Sequence, residues 1–358
     1  MQPQALLLTD GLLTTSDAKT AHGLIRGTER YRVRGVIDPP TAGQDAGEVL
    51  DGTNRDMPVW ATVEEALTNV PEVTHAIIAV ATSGGVLPAH MMASIRTCLS
   101  RGLSVVNGLH EFLSDKPELV RLAEAHGGEL IDIRKPKPRN ELHFWTGAIY
   151  TVQAPVVAVM GTDCALGKRT TARLLTQACQ DAGMSAEMIY TGQTGWLQGG
   201  RYGFIFDTTV NDFVSGELEH AIVSCWNETG ADLLFVEGQA SLRNPGGPCG
   251  AEFLVSGNAR AVVLVHAPKR TYYDHVPAWG EIPSVESEIA LIRAYGAEVI
   301  ALALNTEACT LDEALTFQDQ YRKTLQLPVL LPLEQGVADL IPVLKAFVDQ
   351  KKQRHAHP

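Results

Sequence analysis

Residues 161–171 read Gly-Thr-Asp-Cys-Ala-Leu-Gly-Lys-Arg-Thr-Thr. An apolar run enters this loop and a helical pattern leaves it. In that setting backbone N–H groups and a helix N-terminus converge on an anion, and a lysine adds a full charge. The residues predicted to hold the anion are Gly161, Thr162, Asp163, Cys164, Ala165, Leu166, Gly167, Lys168, Arg169 and Thr170. Two departures from the common phosphate loop matter. Five residues separate the two glycines instead of four, and Arg169 stands where a Ser or Thr ordinarily ligates Mg²⁺. Both weigh against Mg-ATP hydrolysis, which stays a disfavoured option. A guanidinium replaces part of the missing metal's charge, so the loop suits a phosphate that is bound but not cleaved, as in coenzyme A. The plain alternative is a glycine-rich turn with a surface lysine.

Further candidates follow other apolar runs. Leu-Leu-Phe-Val-Glu-Gly-Gln ends in Glu237 and Gln239. Glu237 can face phosphate or metal, serve as a general base, or cap a turn. Thr191-Gly192-Gln193-Thr194-Gly195-Trp196 offers Gln193 and Thr194 to a polar substrate, or forms an ordinary turn. Asp212 caps a helix or joins the site. His266 is an acid–base candidate, although a lone histidine is more often structural. Lys269 and Arg270 are candidates for carboxylate recognition. Cys164 lies where thiolates are favoured, but no histidine adjoins it in sequence. Asp38 ends a strand where an acid can meet a ribose, yet the first turn lacks G-x-G-x-x-G, which disfavours a nicotinamide dehydrogenase.

The elements that must position these residues alternate between short apolar runs and helical patterns, as in parallel sheets with crossover helices. In the first part strands are expected at 5–9, 32–38, 75–80, 103–107 and 129–133, with helices at 18–26, 62–67, 88–100 and 117–126. In the second part strands are expected at 155–160, 184–190, 232–236, 261–265, 298–304 and 329–331. Helices are expected there at 169–182, 216–228, 285–295, 311–324 and 337–349. The prolines and cations after Asp132 interrupt both patterns. The expected division is a Rossmann-like domain at 1–133, a bridge at 134–150, a P-loop NTPase-like parallel α/β domain at 151–350 and a frayed polar tail at 351–358. Arg134–Arg139 are candidates for carboxylate recognition, with a solvated linker as the preferred reading.

The 358 residues carry 29 Lys+Arg against 41 Asp+Glu, a net charge of −12, which argues against nucleic acid as a partner. No run has the roughly 20 apolar residues of a membrane helix. The start lacks the basic segment of a signal peptide. Six cysteines without a C-x-x-C pair argue against a disulfide scaffold or structural zinc, so no metal is expected and a cytoplasmic location fits.

The loop GTDCALGKRTTA is similar to that of dethiobiotin synthetase, including the five-residue spacing. GTDCALGKRTTA, TGQTGW, NDFVSGELE, VEGQASL and VHAPKRT, in this order behind a Rossmann-like domain, resemble the D-glutamate N-acetyltransferase family over nearly the whole chain. Gly35–Pro39, MPVWATVEEAL and AIIAVATSGG also look like the CoA-binding domains of acyl-CoA synthetases. The family resemblance implies acetyl transfer from acetyl-CoA to the amino group of D-glutamate in D-amino-acid catabolism; the expected partners are these small molecules, and a homo-oligomer is expected. Such a transfer needs a general base to take a proton from the ammonium, and Glu237 is the first choice, with Asp163, Asp212 and His266 behind it. An ATP-dependent ligase or kinase-like enzyme is the rival, and a regulatory nucleotide-binding module the third reading.

Overall fold

Strand β1 (Gln4–Leu8) buries Leu6 and Leu8 in one apolar cluster and Ala5 and Leu7 in another. Period-two alternation with both faces apolar is the signature of a central parallel strand covered by helices on both sides. The computed structural model describes residues 2–356, and side chains among them except at 83 and 352–356.

The chain divides into two units: residues 1–136 with 193–200, and residues 137–192 with 201–358. In the first, β1 is joined by β2 (Arg32–Ile37), β3 (Val59–Trp60), β4 (His75–Ile78), β5 (Ser104–Asn107) and β6 (Leu130–Asp132). The order β3-β2-β1-β4-β5-β6 is that of a Rossmann sheet, with every pair parallel. Its helices are α1 (Lys19–Ile25), α2 (Ala46–Asp51), α3 (Val63–Asn69), α4 (Met91–Ser100) and α5 (Pro117–His126).

Asp38 departs from its expected role. Its carboxylate accepts hydrogen bonds from Thr9 Oγ1, the N–H groups of Gly11 and Leu13, and Thr41 Oγ1. It is fully buried and ties the turn after β1 shut, so it is not presented to a ribose.

The second unit contains β7 (Val156–Gly161), α6 (Lys168–Asp181) and β8 (Ala186–Tyr190). After β8 comes α7 (Gln193–Leu197), which belongs to the first unit. The second unit resumes with β9 (Tyr202–Gly203), α8 (Asn211–Thr229), β10 (Leu233–Glu237), α9 (Ala251–Val255) and β11 (Ala261–His266). It continues through α10 (Val285–Ala294), β12 (Glu298–Leu304), α11 (Leu311–Leu325), β13 (Val329–Leu330) and α12 (Ile341–Ala356). The sheet order is β13-β12-β11-β7-β10-β8-β9, again all parallel. β7 therefore lies between β11 and β10, with Val157 and Val159 buried on one face and Val156, Ala158 and Met160 on the other.

Three expectations change. Helix α8 begins at Asn211, not Gly216. Gly216 is an interior position where a Cβ would lie 2.0 Å from the carbonyl oxygen of His143, so the glycine permits close approach of another segment. Helix α12 runs to Ala356, so the tail expected from 351 is helical that far, and 357–358 lie outside the described residues. The bridge is not a free linker after Lys137. Buried Glu217 accepts from the N–H of His143 and pairs with Lys137, while buried Glu219 accepts from Thr146 N–H, Thr146 Oγ1 and Ile149 N–H. Two acids on α8 thus strap residues 143–149 to the second unit.

Candidate active site

The carboxyl ends of the adjacent strands β11, β7 and β10 carry His266, the phosphate loop and Glu237, and β8 next to β10 carries Thr191. Ligands of open α/β sheets sit outside such strand ends. The loop leaves β7 with Thr162 N–H bonded to the Val265 carbonyl at 3.0 Å. Ala165 (φ 50°) and Gly167 (φ 89°) take left-handed conformations that turn the chain into α6, with Gly167 as its N-cap. Gly238 is needed sterically, since a Cβ there would lie 2.3 Å from the Val159 carbonyl oxygen.

Lys168 is buried and its Nζ donates to the carbonyl of Asp163 at 2.6 Å, folded across the loop it is expected to serve. Burial lowers its pKa. Glu237 is also buried. Its carboxylate accepts from Thr191 N–H at 3.1 Å, and its carbonyl accepts from Thr191 Oγ1 at 2.7 Å. Gln239 Nε2 donates to the same hydroxyl at 2.9 Å. Burial raises the Glu237 pKa, opposed by Arg169, the Thr191 N–H and Lys168. A carboxyl group beside two cationic residues, yet kept from full hydration, is suited to exchanging a proton at a higher pH than a surface acid.

Asp163 occupies a different role from that of a base. Its carboxylate accepts from Asn244 Nδ2 at 2.7 Å, Arg270 Nη1 at 2.9 Å and Asp274 N–H at 2.8 Å. It is completely buried, and its hydrogen-bonding capacity is directed at fixing the loop. Arg270 in turn forms a fork on Glu307, with contacts of 2.9 and 2.6 Å. The guanidinium expected to recognise a substrate carboxylate is thus engaged by two protein carboxylates. Lys269 pairs with Glu313 at 2.7 Å and donates to the Ala308 carbonyl, so it too is held by the protein itself. Asp163, Cys164 and Asp274 bring ligand atoms within 4.8 Å of one another, but Arg270 already neutralises this corner.

His266 Nδ1 pairs with Thr162 Oγ1 at 3.0 Å, and burial lowers its pKa to about 4. It is neutral at physiological pH, which suits it to orienting Thr162. Asp212 is exposed on the first turn of α8 and makes no capping bond, contrary to one of its two expected roles. Gln193 and Thr194 belong to the first unit, where Gln193 Oε1 accepts from Arg134 at 2.9 Å. Asn244, Asp274 and Glu307 were not singled out from the sequence. They lie 81, 111 and 144 positions beyond Asp163 in the chain, so no local spacing signals them.

Two family models match the chain. Residues 39–136 match the one described as "Domain of unknown function (DUF1611_N) Rossmann-like domain". Residues 143–341 match "Domain of unknown function (DUF1611_C) P-loop domain". Two curated relatives carry the name D-glutamate N-acetyltransferase. The one from Pseudoalteromonas sp is 30% identical over 272 residues, 74% of this chain and 79% of the relative. The one from Tritonibacter scottomollicae is 30% identical over 277 residues, 75% of this chain and 80% of the relative. A crystal structure of a DUF1611 family protein from Anabaena variabilis superposes with a TM-score of 0.86 at 29% identity, covering 96% of this chain and 99% of that one. A Rossmann-like unit followed by a P-loop unit, matched in this order over most of their lengths, means that the chain belongs to the DUF1611 family.

Proposed function

We propose that the protein transfers the acetyl group of acetyl-CoA to the amino group of D-glutamate. The names of two relatives support the reaction class. The observation that carries the reading into chemistry is Glu237, a buried carboxylate of raised pKa at the strand end beside the phosphate-loop strand. In this reading Glu237 takes a proton from the substrate ammonium. The free amine attacks the thioester carbonyl, the C–N bond forms and the C–S bond breaks. The thiolate leaves with the bonding pair and takes the second proton, which the attacking nitrogen sheds as it becomes an amide. The phosphate loop, with Lys168 and Arg169, grips a phosphate of the coenzyme and does no phosphorus chemistry.

The test is to incubate the protein with acetyl-CoA and a panel of D- and L-amino acids while following free thiol, with ATP assayed in parallel with and without Mg²⁺. The expected result is thiol release with D-glutamate alone, unchanged by a Mg²⁺ chelator. ADP formation would replace this reading with an ATP-dependent ligase. Inactivity in both assays would leave a nucleotide-binding regulatory module.

A further inference from the structure

We propose that the first unit has a ligand pocket of its own, built for a small dianionic metabolite of the dicarboxylate class. This inference rests on the charge and shape of the pocket, not on the reaction proposed above. The cavity lies at the carboxyl ends of β4, β5 and β6 and has a volume of about 250 Å³. Its polar lining is Lys19, Thr82, His110, Arg134 and Gln193, set around the turn at Gly84 and Gly85, and no carboxylate is among the lining residues. In a chain of net charge −12, a cavity with two cations, a histidine and no acid is a selective environment for an anion.

The walls are fixed before any ligand arrives. The His110 N–H donates to the Gly85 carbonyl at 2.9 Å. Gly85 has φ 63°, and a Cβ there would lie 2.3 Å from the His110 ring, so only glycine lets the ring rest on this turn. Arg134 is nine-tenths buried and donates to the Gly108 carbonyl and to Gln193 Oε1. Glu111, which adjoins His110 in sequence, is turned to Lys116 Nζ at 2.6 Å and the Leu87 N–H at 3.0 Å, away from the roles the lining residues play.

Size and charge select the ligand. The volume falls just under the roughly 300–1,000 Å³ of pockets for drug-sized ligands, so a small metabolite fits and a dinucleotide does not. Closure of the β1 turn by Asp38 also removes the acid that a nucleotide ribose would use. Lys19 opens the helix after β1, and Arg134 follows β6. Two cations supplied by separate elements match a ligand with two anionic ends better than one compact phosphate.

The test uses full-length protein and glutarate, a diacid with no amino group to acetylate, in calorimetric titrations. Glutarate is expected to bind, Lys19→Ala to weaken it by about tenfold, and Arg134→Lys to weaken it while retaining the wild-type circular dichroism. Lys168→Ala should leave the affinity unchanged, and inorganic phosphate should not compete. Absence of glutarate binding overturns the proposal. So does affinity lost with Lys168→Ala but kept with Lys19→Ala, or equal competition by phosphate. Because glutarate cannot react, failure here is distinct from failure of the acetyl-transfer assay.

Discussion

The carboxylate of Asp163 and the guanidinium of Arg270 meet at 2.9 Å with 0% and 3% of their side chains exposed. Removing one partner strands the other charge away from water. Arg270→Ala is expected to cost about 3–5 kcal/mol of stability. Chemical denaturation would show it as a lowered midpoint at nearly constant slope. A variant as stable as the wild type would mean the pair does not hold the loop.

Glu237→Gln keeps the shape and removes the base. Its expected effect is a fall in turnover of about 10²–10⁴-fold, with the KM for acetyl-CoA little changed. The wild-type kcat/KM should rise with pH through a limb above the ordinary value of 4.5, and the variant should lack that limb. Stability carries a second signature. The folded pKa is raised, so the native protein loses stability as pH climbs from 4.5 through the folded value. The glutamine variant should therefore gain stability at neutral pH and lose that advantage in acid.

Lys168→Ala should raise the KM for acetyl-CoA far more than it lowers kcat, because the lysine is assigned to ground-state grip. Initial rates across coenzyme concentrations separate the two. A pure kcat effect would move Lys168 into the chemical step.

His266 titrates in the unfolded chain near 6.5 and in the fold near 4. Its contribution is present above 6.5 and is lost as pH falls through about 4, a change on the order of 3 kcal/mol. His266→Asn should consequently flatten the acid side of the stability curve in denaturation series between these pH values. An unaltered acid limb would assign the loss to other groups.

Glu219 satisfies Thr146 N–H, Thr146 Oγ1 and Ile149 N–H. Glu219→Ala should release this strap at a cost of a few kcal/mol, with faster hydrogen exchange at Thr146 and Ile149. Retained protection there would show that packing alone holds the segment.

The strands that bury both faces were legible because continuous apolar runs bounded by glycine or proline leave few alternatives. β12 and α5 match their expected limits. The two-residue edges β3 and β9 were not, since two residues show no period; β13, equally short, was legible because Pro328 and Pro332 bound its apolar run. Helices α2, α7 and α9 are five or six residues long and were missed for the same reason. The phosphate loop and Glu237 stand out as candidates in the sequence because the loop leaves a strand and Glu237 ends one. What Arg270 and Lys269 would bind could not be read there, because their partners Asp163, Glu307 and Glu313 come from elsewhere in the chain and only folding reveals that the charges are already matched.

Residues 193–200 complete the first unit: Leu197 is buried in its apolar cluster, Arg30 stacks over Trp196 at 4.0 Å, and Gln198 Nε2 donates to the Gly23 and Gly27 carbonyls. The ribosome must therefore deliver 200 − 136 = 64 further residues after Pro136 before this body can close. At roughly 5–20 residues per second, that is a wait of about 3–13 s during synthesis. An N-terminal fragment ending at 136 would emerge with an apolar surface permanently uncovered, so dissecting this protein by simple truncation would yield a half that aggregates.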